Sequence, residues 1–593
     1  MNLRLIGAMV LAASAVGQAA GAQYFGRNKV QYESFSFSVL QTEHFDIYYY
    51  PQEQEAIQLA GQMAERWYAR LSQLLDHELN RRQPVILYAS HPHFEQTNAI
   101  LGDLGEGTGG VTELFKRRVV LPFAGSLAET DHVLGHELVH AFQFDITGDP
   151  GRVSERNAPV AIRLPLWFIE GMAEYLSIGP VDPHTAMWMR DAVRAKDGLP
   201  AIKKLNDSRY FPYRWGQAVW SYIAGTYGDD AVARILKSAR RTRDAQLAIE
   251  RVTGLPLDSL SKNWHAALVA AFDSLQALTD SATAYGTMVL GKEATGGTLN
   301  IAPALSPDGR SLVFMSERDL FSVDVFVADA DGGGVQRKLI SSAVDPHFES
   351  LQFINSAGAW DARGQQFVVG GISQGVPILS VFDAQGGGAS REVRLPSLDE
   401  VLNPSWAPDS RRIAFSALGG GLSNLFVYDL EADTLLQLTQ DPYADLQPAW
   451  SPDGRSIAFV TDRFSTDLTT LHTGAYGLAI MDVATRQVRS LLAYPGAKAI
   501  NPQWSPDGRS IYFLSDRDGV TNVYRLEVAG GAVYQVTNLY TGASGITALS
   551  PALSVASESG RLAFSTYEGG AYNVYRVDDP ARLAGTALTE SGT

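Results

Sequence analysis

The segment from Gly135 to Phe142 carries residue types that can bind and activate a metal ion. It reads GHELVHAF, with two histidines four positions apart and a glutamate directly after the first. On an α-helix, positions i and i+4 lie on one face, so His136 and His140 can hold one ion while Glu137 projects beside it. This pattern indicates zinc-assisted hydrolysis, although an ordinary buried helix can carry the same short motif by chance.

A third ligand is predicted in the segment PLWFIEGMAEY at 165–175. Pro165 can open a helix there, on which Glu170 and Glu174 lie four positions apart on one face. Two carboxylates on an otherwise apolar helix are costly to bury without a counter-charge. We therefore expect Glu170 to bind the zinc and Glu174 to accept a hydrogen bond from a ligating histidine. Three protein ligands leave a fourth position for water, as a catalytic zinc site requires.

His132 lies one helical turn before His136 and shares its face, so it is a further candidate ligand. The rise of an α-helix would place its ring about 6 Å too far along the axis to bind the same ion. We therefore expect His132 to support the site rather than to bind the metal.

Composition limits the chemistry and the partners. The chain has 593 residues and no cysteine, so any metal must be held by His, Asp or Glu. It has 48 Lys and Arg against 64 Asp and Glu, a net charge of −16, and it has no run rich in Lys and Arg. Nucleic acid is therefore not an expected partner. The length exceeds what one hydrophobic core supports, so at least two domains are expected.

The first residues have the pattern of a secretory signal peptide. An apolar run follows Arg4, and Ala20-Gly21-Ala22 forms an A-x-A-type cleavage site before Gln23. This run is too short to span a bilayer, and no later stretch has about 18 consecutive apolar residues. We expect residues 1–22 to be removed and the mature protein, without a transmembrane segment, to be periplasmic or secreted.

The segment 24–273 mixes strand-like and helical patterns. Runs such as HFDIYYY and PVILYAS are typical of strands, whereas AIQLAGQMAERWYARLSQLL and DHVLGHELVHAFQF have helical periodicity. This mixture predicts an α+β or α/β domain, of which we favour α+β, and it places the HELVH motif on a helix.

The second half repeats a unit of one turn and one strand. Six copies are visible, among them WAPDSRRIAF, WSPDGRSIAF and WSPDGRSIYF. Pro-Asp-Gly forms a tight turn, because proline fixes φ and glycine accepts a positive φ. The period of about 44 to 55 residues is typical of a four-stranded propeller blade. The aligned turn residues are Gly309, Gly364, Ser410, Gly454, Gly508 and Gly560.

The stretch at 280–298, DSATAYGTMVLGKEATGGT, has the composition of a linker. It separates the helical patterns from the repeats, which are rich in Gly, Ser and alternating β-branched or aromatic residues. We therefore predict a first domain at 23–280 and an all-β six-bladed β-propeller at 281–593.

On these motifs, the first domain resembles the thermolysin-like zinc peptidases called gluzincins, and most closely the peptidase MA-like family. The shared sequence segments are VLGHELVHAF and WFIEGMAEY. SFSVLQTEHFDIYYYP looks like the start of that family's domain, so the resemblance spans about 35–270. It implies a thermolysin-like zincin fold with one Zn2+ ion. The residues it assigns are His136, His140 and Glu170 as ligands and Glu137 as the general base. Thermolysin has Asp in the place of Glu174, so the histidine that Glu174 contacts stays open.

The same resemblance implies two further parts of the site. EGTGGVTELFKRRVVLPF looks like the edge strand on which gluzincins bind an extended substrate, but it lacks the Gly-x-Met-Glu-Asn motif that captures a free N-terminus in related aminopeptidases. FPYRWG matches the Tyr-x-x-Gly pattern of those enzymes and implies that Tyr213 stabilises the transition state. Tyr210 and Tyr222 remain alternatives, and an endopeptidase is favoured over an exopeptidase.

The repeats at about 285–593 resemble the WD40-like repeats of TolB-like propellers and of propellers attached to several bacterial peptidases. The two resemblances together imply an exported zinc metallopeptidase that acts on peptides or proteins. Its propeller would gate the site, recruit substrate or bind another envelope protein, and a TolB-like propeller favours the periplasm. The alternative is a non-catalytic TolB-like envelope binding or assembly protein with a remnant peptidase domain.

Overall fold

An N-terminal α+β domain is followed by a six-bladed β-propeller. The computed structural model describes residues 31–588 apart from 101, 103, 149–157, 320–321, 342–349 and 387. The predicted signal peptide lies outside the described residues and stays a prediction. The α+β pattern of the first half and the six repeats of the second half are both confirmed.

The N-terminal domain contains a five-stranded mixed sheet. Its strands are β1 (Ser38–Gln41), β2 (Phe45–Tyr49), β3 (Gln83–Tyr88), β4 (Val111–Glu113) and β5 (Arg118–Pro122). Their order is β1-β2-β3-β5-β4, with β2, β3 and β5 parallel and with β1 and β4 antiparallel to their neighbours. β4 is therefore an edge strand, and such a strand presents backbone N–H and C=O groups for pairing with another chain.

Helices cover this sheet and extend the domain. They are α1 (Ile57–Leu75), α2 (His91–Glu95), α3 (Leu127–Thr147), α4 (Leu166–Ile178), α5 (Pro183–Arg194), α6 (Pro212–Tyr227), α7 (Asp230–Thr242), α8 (Ala245–Thr253) and α9 (Leu257–Leu278). Short 3-10 helices occupy Pro51–Glu53, Val160–Arg163, Ile202–Asn206 and Ala282–Ala284. Within the described ranges, no helix combines the length and the apolar character needed to cross a bilayer.

The HELVH motif lies on α3, as its periodicity predicts. The Ser126 side chain caps the start of α3 by accepting a hydrogen bond from the backbone N–H of Glu129 at 3.2 Å. Gly135 lets the indole ring of Trp67 on α1 lie against the helix, because a Cβ at this position would be 2.5 Å from that ring. α1 thereby holds α3 in place directly beside the motif.

α4 and α6 cross at a pair of glycines. A Cβ on Gly171 would overlap the Cα of Gly216, and a Cβ on Gly216 would overlap the carbonyl oxygen of Trp167. Two helices can approach this closely only where the side chains at the crossing are absent. The crossing fixes α4, which carries Glu170, against α6, which carries Tyr213.

Six sheets form the propeller, five with four strands and one, blade 5, with a short fifth strand. The innermost-to-outermost strands of blades 1 to 3 are β7 (Asn300–Leu305), β8 (Ser311–Ser316), β9 (Asp324–Asp329) and β10 (Val335–Ile340); β11 (Ala359–Trp360), β12 (Gln366–Ser373), β13 (Val376–Asp383) and β14 (Ala389–Arg394); and β15 (Glu400–Trp406), β16 (Arg412–Gly419), β17 (Leu422–Asp429) and β18 (Thr434–Gln437). Blades 4 and 5 are β19 (Asp445–Trp450), β20 (Ser456–Thr461), β21 (Gly477–Asp482) and β22 (Val488–Leu492); and β23 (Ala499–Trp504), β24 (Ser510–Ser515), β25 (Asn522–Glu527) and β26 (Val533–Gln535). Blade 6 consists of β27 (Leu553–Val555), β28 (Leu562–Glu568), β29 (Ala571–Val577) and β6 (Thr287–Leu290).

The repeated turns join the first two strands of every blade. All six aligned turn residues have positive φ, between 53° and 74°; they are Gly309, Gly364, Ser410, Gly454, Gly508 and Gly560. The predicted need for positive φ at this position is confirmed. Ser410 takes the same conformation without being a glycine, which costs more because a Cβ is present.

The propeller closes with a strand from the beginning of its sequence. β6 pairs antiparallel with β29, so the outermost strand of blade 6 lies far from the rest of that blade in the sequence. The linker interpretation of 280–298 is therefore wrong for Thr287–Leu290. Local composition could not reveal this strand, because its pairing partner is distant in the sequence. The short helices α10 (Lys292–Thr295) and α11 (Pro580–Ala584) flank these strands, and β30 (Thr586–Ala587) adds to blade 5.

The N-terminal domain packs on the propeller face opposite to the repeated turns. Arg190 on α5 donates a hydrogen bond to the carbonyl oxygen of Thr541 at 2.9 Å. The backbone N–H groups of Gly569 and Gly570 donate to the Asp191 carboxylate at 2.7 and 2.9 Å. Thr541 precedes the innermost strand of blade 6, and the glycines join β28 to β29, so both contacts lie at the end of the blade away from its Pro-Asp-Gly-type turn.

Candidate metal centre

Three side chains from α3 and α4 converge on one point. His136 Nε2 and His140 Nε2 lie 3.2 Å apart, and each lies 3.2 Å from Oε2 of Glu170. The two histidines are one helical turn apart on α3, and the buried crossing of α4 places Glu170 opposite both rings. The structure thus brings together the three residues that the sequence analysis assigned as zinc ligands.

The spacing of these atoms fits a zinc ion. Zinc binds imidazole nitrogen at about 2.0–2.1 Å and carboxylate oxygen at about 2.0–2.2 Å, so two ligands of a tetrahedral site lie about 3.3 Å apart. Two imidazoles and one carboxylate are also a donor set that zinc prefers. Among the described residues, one other group of His and Glu donors has its ligand atoms within 4.8 Å of one another, and it shares His136: His132, His136 and Glu174.

The other ring nitrogen of each histidine faces its own acceptor. His136 Nδ1 lies 3.2 Å from Glu174 Oε1, and His140 Nδ1 lies 2.8 Å from Gln143 Oε1. The Gln143 amide is oriented by its own donation to the carbonyl oxygen of Ile169 at 3.0 Å. A proton on each Nδ1 leaves each Nε2 free to act as a ligand. Glu174 therefore accepts a hydrogen bond from Nδ1 of His136, and Gln143 accepts one from Nδ1 of His140.

Glu174 is surrounded by positive charge. Arg214 Nη1 lies 3.5 Å from Glu174 Oε2 and 3.3 Å from the Asp182 carboxylate. His132 Nε2 lies 3.5 Å from Glu174 Oε1, so this ring faces Glu174 rather than the three converging donors. Sequence analysis overlooked Gln143 and Arg214. The position of Gln143 three residues after His140 on one helix was a usable signal, whereas Arg214 comes from a different helix.

Glu137 is held toward the edge strand β4. The Thr112 hydroxyl lies 2.7 Å from Glu137 Oε2 and 2.8 Å from the Glu137 carbonyl oxygen. Gly110 makes this approach possible, because a Cβ there would be 2.8 Å from the Glu137 Cγ. The carboxylate therefore lies against β4, beside the converging side chains of His136 and His140.

Of the three tyrosines considered in the sequence, Tyr213 lies at the cluster. Its ring stacks on the ring of His136, with centroids 5.6 Å apart and planes at 20°. Tyr210 packs edge-on against Trp215, with centroids 5.2 Å apart. Tyr222 packs against the core of the N-terminal domain. Proximity therefore favours Tyr213 over the two alternatives.

The charges in the cluster are matched. Burial lowers the pKa of His136, but hydrogen bonds to Glu170 and Glu174 outweigh burial and raise this pKa to about 10. Burial likewise lowers the pKa of His140, but the negative charge of Glu170 outweighs burial and raises this pKa above its ordinary value. The pKa values of both glutamates lie below their ordinary range, because the facing histidines outweigh burial. The carboxylates are therefore ionised, and a cation that bound here would have to displace protons from the rings.

The phenol of Tyr213 stays protonated. Burial, and then the negative charges of Glu170 and Glu137, raise the pKa of Tyr213 above its ordinary value. A neutral phenol next to the converging donors can give a hydrogen bond to a negatively charged oxygen.

This chain is similar to the protein TolB in sequence and in solved structures. No family model matches the chain. The Tol-Pal system protein TolB of Bordetella pertussis is 31% identical over 153 residues, which are 26% of this chain and 32% of that protein. The chain therefore matches about a third of the length of this curated relative. Among solved structures, TolB from Acinetobacter baumannii has 17% identity and a TM-score of 0.32, over 56% of this chain and 72% of that chain. A structure assigned to TolB from Agrobacterium tumefaciens has 18% identity and a TM-score of 0.36, over 48% of this chain and 91% of that chain.

The second half of the chain is a TolB-like six-bladed β-propeller. This conclusion rests on the sequence similarity to TolB together with the six blades of the propeller. A propeller serves many functions, so the fold alone assigns none. The metal centre is interpreted from its own geometry.

Proposed function

We propose that this chain is a zinc-dependent metallopeptidase with a thermolysin-like, gluzincin-type N-terminal domain. The observation that supports this proposal most strongly is the triangle of His136 Nε2, His140 Nε2 and Glu170 Oε2, with every pair 3.2 Å apart. A buried carboxylate, Glu137, and a protonated phenol, Tyr213, lie beside it. Ligands, base and oxyanion donor in one site are the parts that peptide-bond hydrolysis needs.

In this proposal His136, His140 and Glu170 hold one Zn2+ ion. When bound, zinc lowers the pKa of a water molecule to about 7 and polarises a carbonyl group. Glu174 and Gln143 keep the two imidazoles in the tautomer that presents Nε2. Removing either acceptor would let a ring rotate or change tautomer, which weakens ligation.

Glu137 is the general base. It accepts the proton of the attacking water and later delivers this proton to the departing amine. The Thr112 hydroxyl orients the carboxylate through one oxygen and leaves the other for this task. An extended substrate that pairs with β4 would place its scissile bond on the same side of α3 as Glu137.

Tyr213 stabilises the oxyanion that develops on the scissile carbonyl. Its phenol is kept protonated by burial and by the neighbouring carboxylates, which raise its pKa, and its ring is held by stacking on His136. A donor that is fixed before the reaction strengthens its interaction as the negative charge grows.

The propeller contributes binding or gating in this proposal. The N-terminal signal pattern supports export, so we place the protein in the periplasm or outside the cell, with peptide or protein substrates. Because TolB is a Tol-Pal system protein, the propeller is proposed to contact another envelope protein as well.

A second candidate function is supported by the TolB similarity. In this alternative the chain is a non-catalytic TolB-like envelope binding or assembly protein with a remnant peptidase domain. The presence of the base Glu137 together with all three ligands argues against it, because a remnant has no chemical reason to retain the base.

Zinc analysis combined with a casein hydrolysis assay separates the two functions. The peptidase proposal expects one zinc per chain and hydrolysis that a chelator abolishes and added zinc restores. Zinc-loaded protein without hydrolysis, or protein that does not bind zinc, would favour the binding protein.

A further inference from the structure

Helix α5 carries a large part of the contact between the N-terminal domain and the propeller. Trp188 stacks on Tyr567 of blade 6, with ring centroids 4.7 Å apart and planes at 20°. Arg190 and Asp191 form hydrogen bonds with backbone groups of the propeller. The position of α5 is therefore set by the propeller as well as by the N-terminal domain.

The start of α5 is linked to the metal centre by Arg214 on α6. Asp182 caps α5 by accepting a hydrogen bond from the backbone N–H of Thr185 at 2.6 Å. Arg214 Nη1 lies 3.3 Å from Oδ2 of Asp182 and 3.5 Å from Oγ1 of Thr185. The same nitrogen lies 3.5 Å from Oε2 of Glu174, whose other oxygen contacts His136. One guanidinium thus connects the cap of the docking helix with the carboxylate that orients a proposed metal ligand.

Water has little access to this connection. The side chains of Glu174, Asp182 and Arg214 are 7%, 17% and 18% exposed. Breaking a buried ion pair is costly because it leaves a charge without a partner in a site that solvent barely reaches. Without Arg214, the carboxylates of Glu174 and Asp182 would also repel each other. Glu174 can turn away from Asp182 only by giving up its contact with His136.

We propose that Arg214 couples docking of the propeller to metal binding, because it fixes Glu174 against His136 while the propeller holds α5 in place. Arg214 acts through Glu174 rather than on the metal, so it is a positioning residue. This inference rests on the metal centre of the proposed function and adds its regulation by the propeller. Coupling between two binding events is reciprocal, so zinc should strengthen docking by the same factor as docking strengthens zinc binding.

A double-mutant cycle in the full-length chain tests the coupling. Asp191→Ala removes the acceptor of the Gly569 and Gly570 N–H groups, far along α5 from its cap, and should lower zinc affinity at least about fivefold. Arg214→Met should lower it roughly tenfold, as the loss of a group that supports a ligand does. The double variant should bind zinc no more weakly than Arg214→Met, because the coupling is already lost. Competition with a chromogenic chelator measures the affinities, and additive losses would overturn the proposal.

Two matched variants separate the coupling from a general loss of stability. Arg214→Lys should recover most of the affinity, because a single nitrogen makes all three contacts and an ammonium group can replace it. Glu106→Ala removes an acceptor of propeller hydrogen bonds that is not on α5, so zinc affinity should stay as in wild type. Thermal midpoints verify the folding of each variant. An equal loss of affinity in Glu106→Ala and Asp191→Ala would contradict a specific path through α5.

Hydrogen exchange provides a test that begins with the wild-type protein. The Gly569 and Gly570 N–H groups donate to the Asp191 carboxylate at 2.7 and 2.9 Å, so their exchange reports the docking of α5. Saturating zinc should slow their exchange at least about fivefold in wild type. In Arg214→Met, zinc should leave it unchanged.

The outcomes distinguish this inference from the proposed function. If wild type does not bind zinc, the peptidase proposal fails and the coupling fails with it. If wild type binds zinc and hydrolyses casein but exchange at Gly569 and Gly570 does not respond to zinc, the coupling alone is overturned. Protection by zinc without hydrolysis would support the coupling and contradict the peptidase.

Discussion

Two groups of carboxyl side chains behave in opposite ways in this molecule. In the metal centre, Glu170 and Glu174 face histidines, which hold their pKa values below the ordinary range. At the contact of the N-terminal domain with blades 2 and 3, burial raises the pKa values of Glu106 and Glu400 to about 7. We call Glu106 and Glu400 the interface carboxyls.

The number of neighbouring counter-charges explains the difference. Glu106 accepts hydrogen bonds from the Ser350 hydroxyl at 2.9 Å and from the Ile354 N–H at 3.2 Å, both neutral donors on the propeller. His91 faces both interface carboxyls, but it also forms an ion pair with Glu95 at 3.2 Å. Burial therefore does not decide the charge of a carboxyl group by itself. Facing histidines keep carboxylates ionised, whereas an excess of acid raises carboxyl pKa values and favours a contact that depends on pH.

The largest expected effect comes from neutralising Glu137 in the matched cluster. Glu137→Gln keeps the shape of the side chain and can still accept the Thr112 hydrogen bond, but it cannot take a proton. We expect stoichiometric zinc and a turnover at least 10²- to 10⁴-fold lower. Zinc analysis and initial rates of casein hydrolysis test this. Glu129→Gln, two turns earlier on α3, is the matched control, and wild-type turnover in Glu137→Gln would refute the mechanism.

Tyr213→Phe should give the next largest effect. The variant keeps the stacking on His136 and loses only the hydroxyl, so kcat should fall by roughly ten- to a thousandfold with KM little changed. Steady-state kinetics on one peptide measure both constants. Tyr210→Phe is the control and should have little effect. If Tyr210→Phe or Tyr222→Phe lowers kcat while Tyr213→Phe does not, the stabilising residue has been assigned incorrectly.

Glu170→Ala and Glu174→Ala should differ in how strongly they weaken zinc binding. Glu170 supplies one of the three converging donor atoms, so its loss should weaken zinc binding most. Glu174 acts through His136, and its loss should cost about 10- to 100-fold in zinc affinity or activity. Competition with a chromogenic chelator measures both affinities. Wild-type affinity in both variants would show that the ligand set is wrong.

The metal centre was predictable where its residues are close in sequence. His136, Glu137 and His140 share one helix, and Glu170 follows on the next helix with a recognisable apolar pattern. Arg214 and Thr112 come from other elements, and their contacts with Glu174 and Glu137 depend on how α6 and β4 pack around α3. That packing is not encoded in any local spacing, so sequence reasoning did not find these two residues.

The same limit applies to the propeller. Each repeated turn is local, so six blades could be counted from the sequence. The closing strand β6 was mistaken for a linker, because its partner β29 lies at the other end of the repeat region. The interface carboxyls were also invisible, since their burial arises only when the two domains meet.

The interface carboxyls should make the domain contact sensitive to pH. Their folded pKa values of about 7 lie above the ordinary 4.5. A group with a raised folded pKa stabilises the docked state below its ordinary pKa and loses this stabilisation as pH rises through the folded value. His91, whose pKa is also raised because neighbouring glutamates outweigh burial, acts in the same direction. The contact should therefore weaken between about pH 5 and 8.

Hydrogen exchange at the Ile354 amide reports this weakening directly, because that N–H donates to Glu106. After correction for the intrinsic pH dependence of exchange, its protection should fall at least tenfold between pH 5 and pH 8, since the folded pKa of Glu106 lies more than one unit above the ordinary value and each unit corresponds to a tenfold change. Glu106→Gln can still accept one of the two hydrogen bonds but does not ionise, so its protection should change less with pH. The same slope in both proteins would show that Glu106 does not control the contact. If the protection of the Ile354 amide in wild type did not change with pH, the negative charges of the interface carboxyls would be balanced by counter-charges, as those of Glu170 and Glu174 are balanced by histidines.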